Sequence, residues 1–112
     1  LLDVLVADRG AAIRATVSRP SPARVAAITD RLVLGDGVAA DELVAALARM
    51  ATPEAVAGLF AALRARAPLA RRSAAVALLA IEARGAAMAV RALAVGDPDP
   101  EVRRACAAAV SG

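Results

Sequence analysis

The sequence predicts an all-α domain assembled from stacked helix pairs, and three observations carry that prediction. Apolar residues recur at three- and four-residue spacing along most of the 112-residue chain, the signature of amphipathic helices. Pro and most Gly fall between those stretches, where they start and stop helices. The chain also repeats itself: Pro68-Leu69-Ala70-Arg71-Arg72-Ser73-Ala74-Ala75 aligns with Pro100-Glu101-Val102-Arg103-Arg104-Ala105-Cys106-Ala107 at an offset of 32. No run alternates apolar and polar residues for long enough to form a half-buried strand.

Leu2, Leu5, Val6, Ile13 and Val17 predict a first helix from about Leu2 to Ser18, weakened in its middle by Gly10. Arg19-Pro20 ends it. Ser21 is a good N-cap and Pro22 suits the first helical position, where its missing amide hydrogen costs nothing. Val25, Ile28, Thr29 and Leu32 form one face of that second helix, and Gly35-Asp36-Gly37 stops it. A third runs from Val38 or Asp41 to Ala51, with Leu43, Leu47 and Met50 as its apolar stripe. Thr52-Pro53-Glu54 opens the fourth with a cap, a proline at the first position and an acid where the helix dipole favours it. Val56, Leu59, Phe60 and Leu63 point inward from it. The fifth helix spans Leu69–Arg84 and is expected at the centre of the domain, its broad face made of Val76, Leu78, Leu79 and Ile81, with Gly85 as terminator. Ala86–Val95 forms a sixth with Val90 and Leu93 inside, and Asp99 caps a seventh from Pro100 to about Val110.

Composition limits both the core and the chemistry. Of the 112 residues 34 are Ala and only Phe60 is aromatic, so helices must approach closely to bury anything. The chain has no His, Lys, Asn, Gln, Trp or Tyr. It therefore lacks imidazole bases, Schiff-base amines, amide readers of adenine and aromatic platforms for stacking bases. An enzyme is not expected, and no cofactor is implied. The longest uncharged runs, Ala55–Leu63 and Ser73–Ile81, are nine residues each, against the roughly 20 a membrane helix needs. The opening Leu1-Leu2-Asp3 carries no signal pattern, and the chain reads as a fragment of a longer protein. A single cysteine, Cys106, excludes an intrachain disulfide and leans towards a reducing, cytoplasmic compartment. The bias towards Ala, Arg, Gly and Pro suggests a GC-rich, bacterial genome.

Fourteen Arg against eleven acids leave a net charge of +3, all of it in the second half: residues 1–52 hold six Arg and six acids, residues 53–112 eight Arg and five acids. Arg64, Arg66, Arg71 and Arg72 fall within nine residues that contain no acid. Together with Arg104, and with Arg103 beside it, they define a candidate basic stripe for phosphate or an acidic partner. Arg71 and Arg72 sit in a first helical turn, where the dipole disfavours cations by about 0.3–1 kcal/mol, and a bound anion would relieve that conflict.

A period near 30 built from helix-turn-helix units implies an α-solenoid, in which each unit needs neighbours to cover its apolar face. Here Asp97-Pro98-Asp99-Pro100-Glu101-Val102-Arg103-Arg104-Ala105 resembles the turn and second-helix opening of HEAT-like repeats, in the short form found in phycobilisome-lyase-type proteins. The resemblance is strongest over 86–112, fair over 53–84 and weak over 22–51. It implies a right-handed α-solenoid of about three antiparallel pairs; residues 1–19 fall outside it, and their helix precedes the pairs within a single domain over 1–112. It also implies an Asp–Arg ladder between repeats, here Asp97 and Arg103. The preceding unit departs from this pattern: Ala65 stands where an Asp would partner Arg71, so Arg71 either pairs with Asp97 of the next unit or is free for a ligand.

Other motifs read as structural. Asp97, Asp99 and Glu101 alternate as in a calcium loop, but Val102 occupies the position that needs Gly and Ala108 that of the bidentate Glu. Gly35-Asp36-Gly37 lacks the Lys of a phosphate loop. Cys106 reads as a small buried residue. The expected function is a non-catalytic scaffold for a protein partner. The alternatives are nucleic-acid or phospho-ligand binding through the Arg face, and a bilin lyase or chaperone-like module implied by the resemblance.

Overall fold

In the computed structural model, residues 21–112 are described and form six α-helices with no strand among them: α1 Pro22–Leu34, α2 Ala40–Met50, α3 Pro53–Ala62, α4 Pro68–Ala80, α5 Ala86–Gly96 and α6 Pro100–Ser111. The helix expected over 1–19 lies outside the described residues. None of the described helices is long and apolar enough to cross a membrane.

The punctuation works as its chemistry demands. Ser21 accepts the Arg24 amide at 3.1 Å, Thr52 Oγ1 accepts that of Ala55 at 3.1 Å, and Asp99 accepts those of Glu101 and Val102 at 2.8 and 3.1 Å. Each satisfies amide hydrogens that the first helical turn leaves without partners. Pro22, Pro53, Pro68 and Pro100 all occupy the opening turn of a helix. The two-residue connection Ala51–Thr52 turns sharply through Ala51, which sits at φ 54° in the left-handed region.

One boundary differs from the sequence reading. The helix expected to run to Arg84 ends at Ala80, because Glu82 adopts φ 55° and the Glu82 amide bonds Leu79 rather than continuing the helix. Gly85, expected as its terminator, instead opens α5 at φ 83°. A non-glycine residue at positive φ leaves no signature in composition, whereas Gly85 advertises itself.

Packing links neighbours along the chain. Helix α4 touches α2, α3, α5 and α6, which makes it the centre of the described domain; α1 lies along α3, and α5 along α6. The side chains at these contacts are small. Leu32, Leu47, Leu59, Leu78, Val90 and Val102 are the largest fully buried ones, and the space between them is filled by Ala55, Ala62, Ala70, Ala74 and Ala75, each with no exposed surface. The expected inward face of α4 shifts accordingly: Leu78 is buried with Ala70, Ala74 and Ala75, while Val76 is 48% exposed. Helices meeting through alanine approach closely, and α1 and α3 do so at Gly58, where an added Cβ would stand 2.4 Å from Thr29 Oγ1. Phe60, the lone aromatic, is only partly buried at the edge of this core.

Candidate functional site

The arginines do not share one site. Arg71, in the first turn of α4, forms a bidentate pair with Asp97 in the turn before α6, through Nε at 2.8 Å and Nη2 at 3.0 Å. Its third nitrogen, Nη1, donates to the carbonyls of Ala65 and Arg66 at 2.9 and 3.1 Å. One guanidinium thus joins its own inter-helix turn to the next pair. Of the two alternatives left open for Arg71, the pairing with Asp97 is the one realised. The anion that the N-terminus of α4 lacks locally is this carboxylate, supplied from 26 residues away.

Asp97 is 3% exposed and fully engaged. Its Oδ1 also accepts the Asp99 amide at 2.9 Å, and its main-chain oxygen accepts Arg103 Nη1 at 2.6 Å. Burial alone would raise the carboxyl, but the Arg71 bonds, the Asp99 amide and the charges of Arg71 and Arg103 outweigh it and hold Asp97 below the ordinary carboxylate value. Arg103 therefore contacts Asp97 through the main chain, and the side-chain half of the expected ladder is made by Arg71.

The two arginines also share a local geometry. Arg71 reaches the carbonyl of Ala65, and Arg103 that of Asp97, each six residues upstream. Two residues in corresponding positions are buried in both helices, Ala70 and Ala74 in α4 and Val102 and Cys106 in α6. The internal repeat in the sequence is therefore matched by side-chain contacts.

The remaining cations diverge. Arg104 is exposed and pairs with Glu101 at 2.7 Å on its own helix; such surface pairs contribute about 0–1 kcal/mol. Arg66 is exposed, and its amide donates to the Val33 carbonyl at 2.9 Å. Arg64 is exposed at the edge of a groove between α3 and α5 lined by Phe60, Leu63 and Leu93. Arg72 is half-buried in a different groove, formed by α2, α4 and α6. In that second groove Val44, Val76, Ala77 and Ala105 supply an apolar lining, and Arg72 and Asp41 add one charge of each sign. The Ser73 hydroxyl donates to the Asp41 carboxylate and links α2 to α4. This groove leaves no mark in the sequence, since it is built from residues on three helices whose neighbours are decided by packing.

Cys106 is fully buried, and its thiol is pushed up by burial and by the nearby Asp97 charge, so it is a poor nucleophile. Asp97 and Asp99 serve the turn and the helix cap, Glu101 pairs with Arg104, and no cluster of metal-ligating side chains occurs among the described residues.

Comparison of the chain with protein-family models, with curated proteins and with solved structures returns no match.

Proposed function

We propose that this chain is a non-catalytic scaffold, a right-handed α-solenoid of HEAT-like antiparallel helix pairs that holds a protein partner against the face made by α2, α4 and α6. The observation that carries the reading is the groove on that face, where three successive second helices bring half-buried Arg72 and exposed Asp41 together with an apolar lining of Val44, Val76, Ala77 and Ala105. Small side chains let a partner helix approach closely, and the Arg72 and Asp41 charges in the lining would favour a partner carrying the complementary pair. The contacts of α4 with both α2 and α6, and the matching environments of Arg71 and Arg103, support the solenoid arrangement. The absence of His and Lys from the chain and the engagement of Asp97 support a non-catalytic role.

The test is comparative capture followed by mapping. A photo-crosslinking residue placed at Val76 is expected to trap a protein that one placed at Ala107, outside the groove, does not, and Ala77→Arg should abolish the capture. Equal yields at both positions would sink the reading. A phosphate or nucleic-acid ligand has less support, because Arg71 is committed to Asp97 and Arg64 and Arg72 line separate grooves. Binding of that kind would weaken steeply with salt.

A further inference from the structure

Arg71 and Arg103 occupy equivalent places but differ in one respect. Both donate from Nη1 to the carbonyl six residues upstream. Arg71 then spends its other edge, Nε and Nη2, on the Asp97 carboxylate of the following helix pair. The same edge of Arg103 meets no carboxylate among the described residues. No buried side-chain nitrogen among the described residues lacks a partner, so solvent reaches this edge of the half-buried Arg103. A planar pair of donors held in place by its third nitrogen is preorganised for a carboxylate.

The helix beside it is open as well. On α5, Ala89 and Leu93 line the groove against α3, whereas Met88 and Val95 project from the other side and are 79% and 85% exposed. The α5–α6 pair thus presents cationic and apolar elements together.

The chain carries a second turn of the Asp97 type. Gly96 is the last residue of α5 and Asp97 its C-cap, with Asp97 Oδ1 accepting the amide two residues on. Gly35-Asp36 follows α1, and Asp36 Oδ1 accepts the Val38 amide at 3.0 Å in the same way. Asp36 is exposed, makes no ion pair among the described residues, and lies between Leu34 and Val38, which are 70% and 74% exposed. It offers what the Arg103 face lacks: a carboxylate in a Gly-Asp turn, with apolar side chains next to it.

We infer that this chain associates head to tail with a second copy of itself, the Asp36 turn of one copy docking on the Arg103 edge of the other as Asp97 docks on Arg71. The two surfaces are different, so the contact is heterologous and extends beyond a dimer unless the rotation between copies closes a ring. Sedimentation velocity of the 112-residue chain, from micromolar to near-millimolar concentration, is the test. The expected result is a mass that rises with concentration past the dimer. Asp36→Asn, Arg103→Ala and Val95→Glu should each weaken association by about tenfold or more. Val95→Glu, at an exposed site, guards against loss of association through misfolding of the Arg103 variant.

The decisive arm mixes two variants. Asp36→Asn keeps a working Arg103 edge and Arg103→Ala keeps a working Asp36 turn, so at concentrations where each alone is monomeric the mixture forms a one-to-one dimer and nothing larger. A chain that is monomeric throughout overturns the inference. So does association that is indifferent to Asp36, which would mean that something other than this turn occupies the face.

Discussion

Replacing Asp97 by Asn tests whether the Arg71 bridge joins the two helix pairs energetically as well as geometrically. The Asp97 side chain is 1% exposed and the Arg71 side chain 11%, so neither is well solvated if the other is lost. Asparagine preserves an acceptor for the Asp99 amide and one contact with the guanidinium, but removes the charge and the second strong bond. A hydrogen bond to a charged group contributes about 1.5–3 kcal/mol, and that is the expected loss for Asp97→Asn. Arg71→Ala should cost about 3–5 kcal/mol, the usual result of leaving one member of a buried pair behind, and it also strands the Ala65 and Arg66 carbonyls. Total stability for a domain of this kind is about 5–15 kcal/mol, so both effects fall within range of urea unfolding followed by circular dichroism. The double variant should lose less than the sum of the singles, by more than about 1 kcal/mol. Additivity within about 0.5 kcal/mol, or a cost for Asp97→Asn below that figure, would refute the bridge as a coupling element.

Acid should weaken the domain through the same group. Because Asp97 has a lowered value in the folded state, its contribution is present above the unfolded carboxylate value of about 3.9 and is lost as the pH falls through the lower folded value. Arg71→Ala should flatten this limb in a pH series of urea midpoints, and with no His in the chain the wild type should be nearly level from about pH 6 to 8. Gly58→Ala drives a methyl group against Thr29 and should cost about 1–3 kcal/mol, and Thr29→Ala in the same chain should recover much of it by thermal melting. Ala51→Gly relieves a left-handed alanine and should raise stability by up to about 1 kcal/mol, the backbone relief exceeding the added freedom of the unfolded chain. Cys106 should resist iodoacetamide in the native protein and react once urea unfolds it; rapid native labelling would contradict its burial.

Much of the local structure was legible because local chemistry decides it. Ser21, Thr52 and Asp99 were readable as caps since each needs only amides two or three residues away. Gly35 was readable as a stop for the same reason. The core was harder. Leucine stripes located the helices, but Ala55, Ala62, Ala70, Ala74 and Ala75 are buried while the equally apolar Met88 and Val95 are not. In a chain so rich in alanine, burial depends on which helix lies opposite, and the pattern within one helix does not say. The Arg cluster was visible as a run of charge. Its dispersal was not, because a single step along the helix, about 100° of rotation, separates the Arg71 guanidinium that meets Asp97 from the Arg72 guanidinium in the α2–α4–α6 groove. The pairing of Arg71 was narrowed to two outcomes by the missing Asp at Ala65, and geometry chose between them.

The fully buried alanines have a genetic consequence. Any single-base change in an alanine codon that alters the residue yields Gly, Ser, Thr, Val, Pro, Asp or Glu. At Ala70, Ala74 or Ala75, glycine and proline disfavour the helix, valine and threonine have no room, and the acids arrive without partners. Serine is the mildest neighbour and still brings a hydroxyl that needs an acceptor. These codons are therefore surrounded by damaging alternatives, and most of the drift open to them is synonymous. A saturation mutagenesis map of this chain should show its deepest intolerance at side chains consisting of a single methyl group.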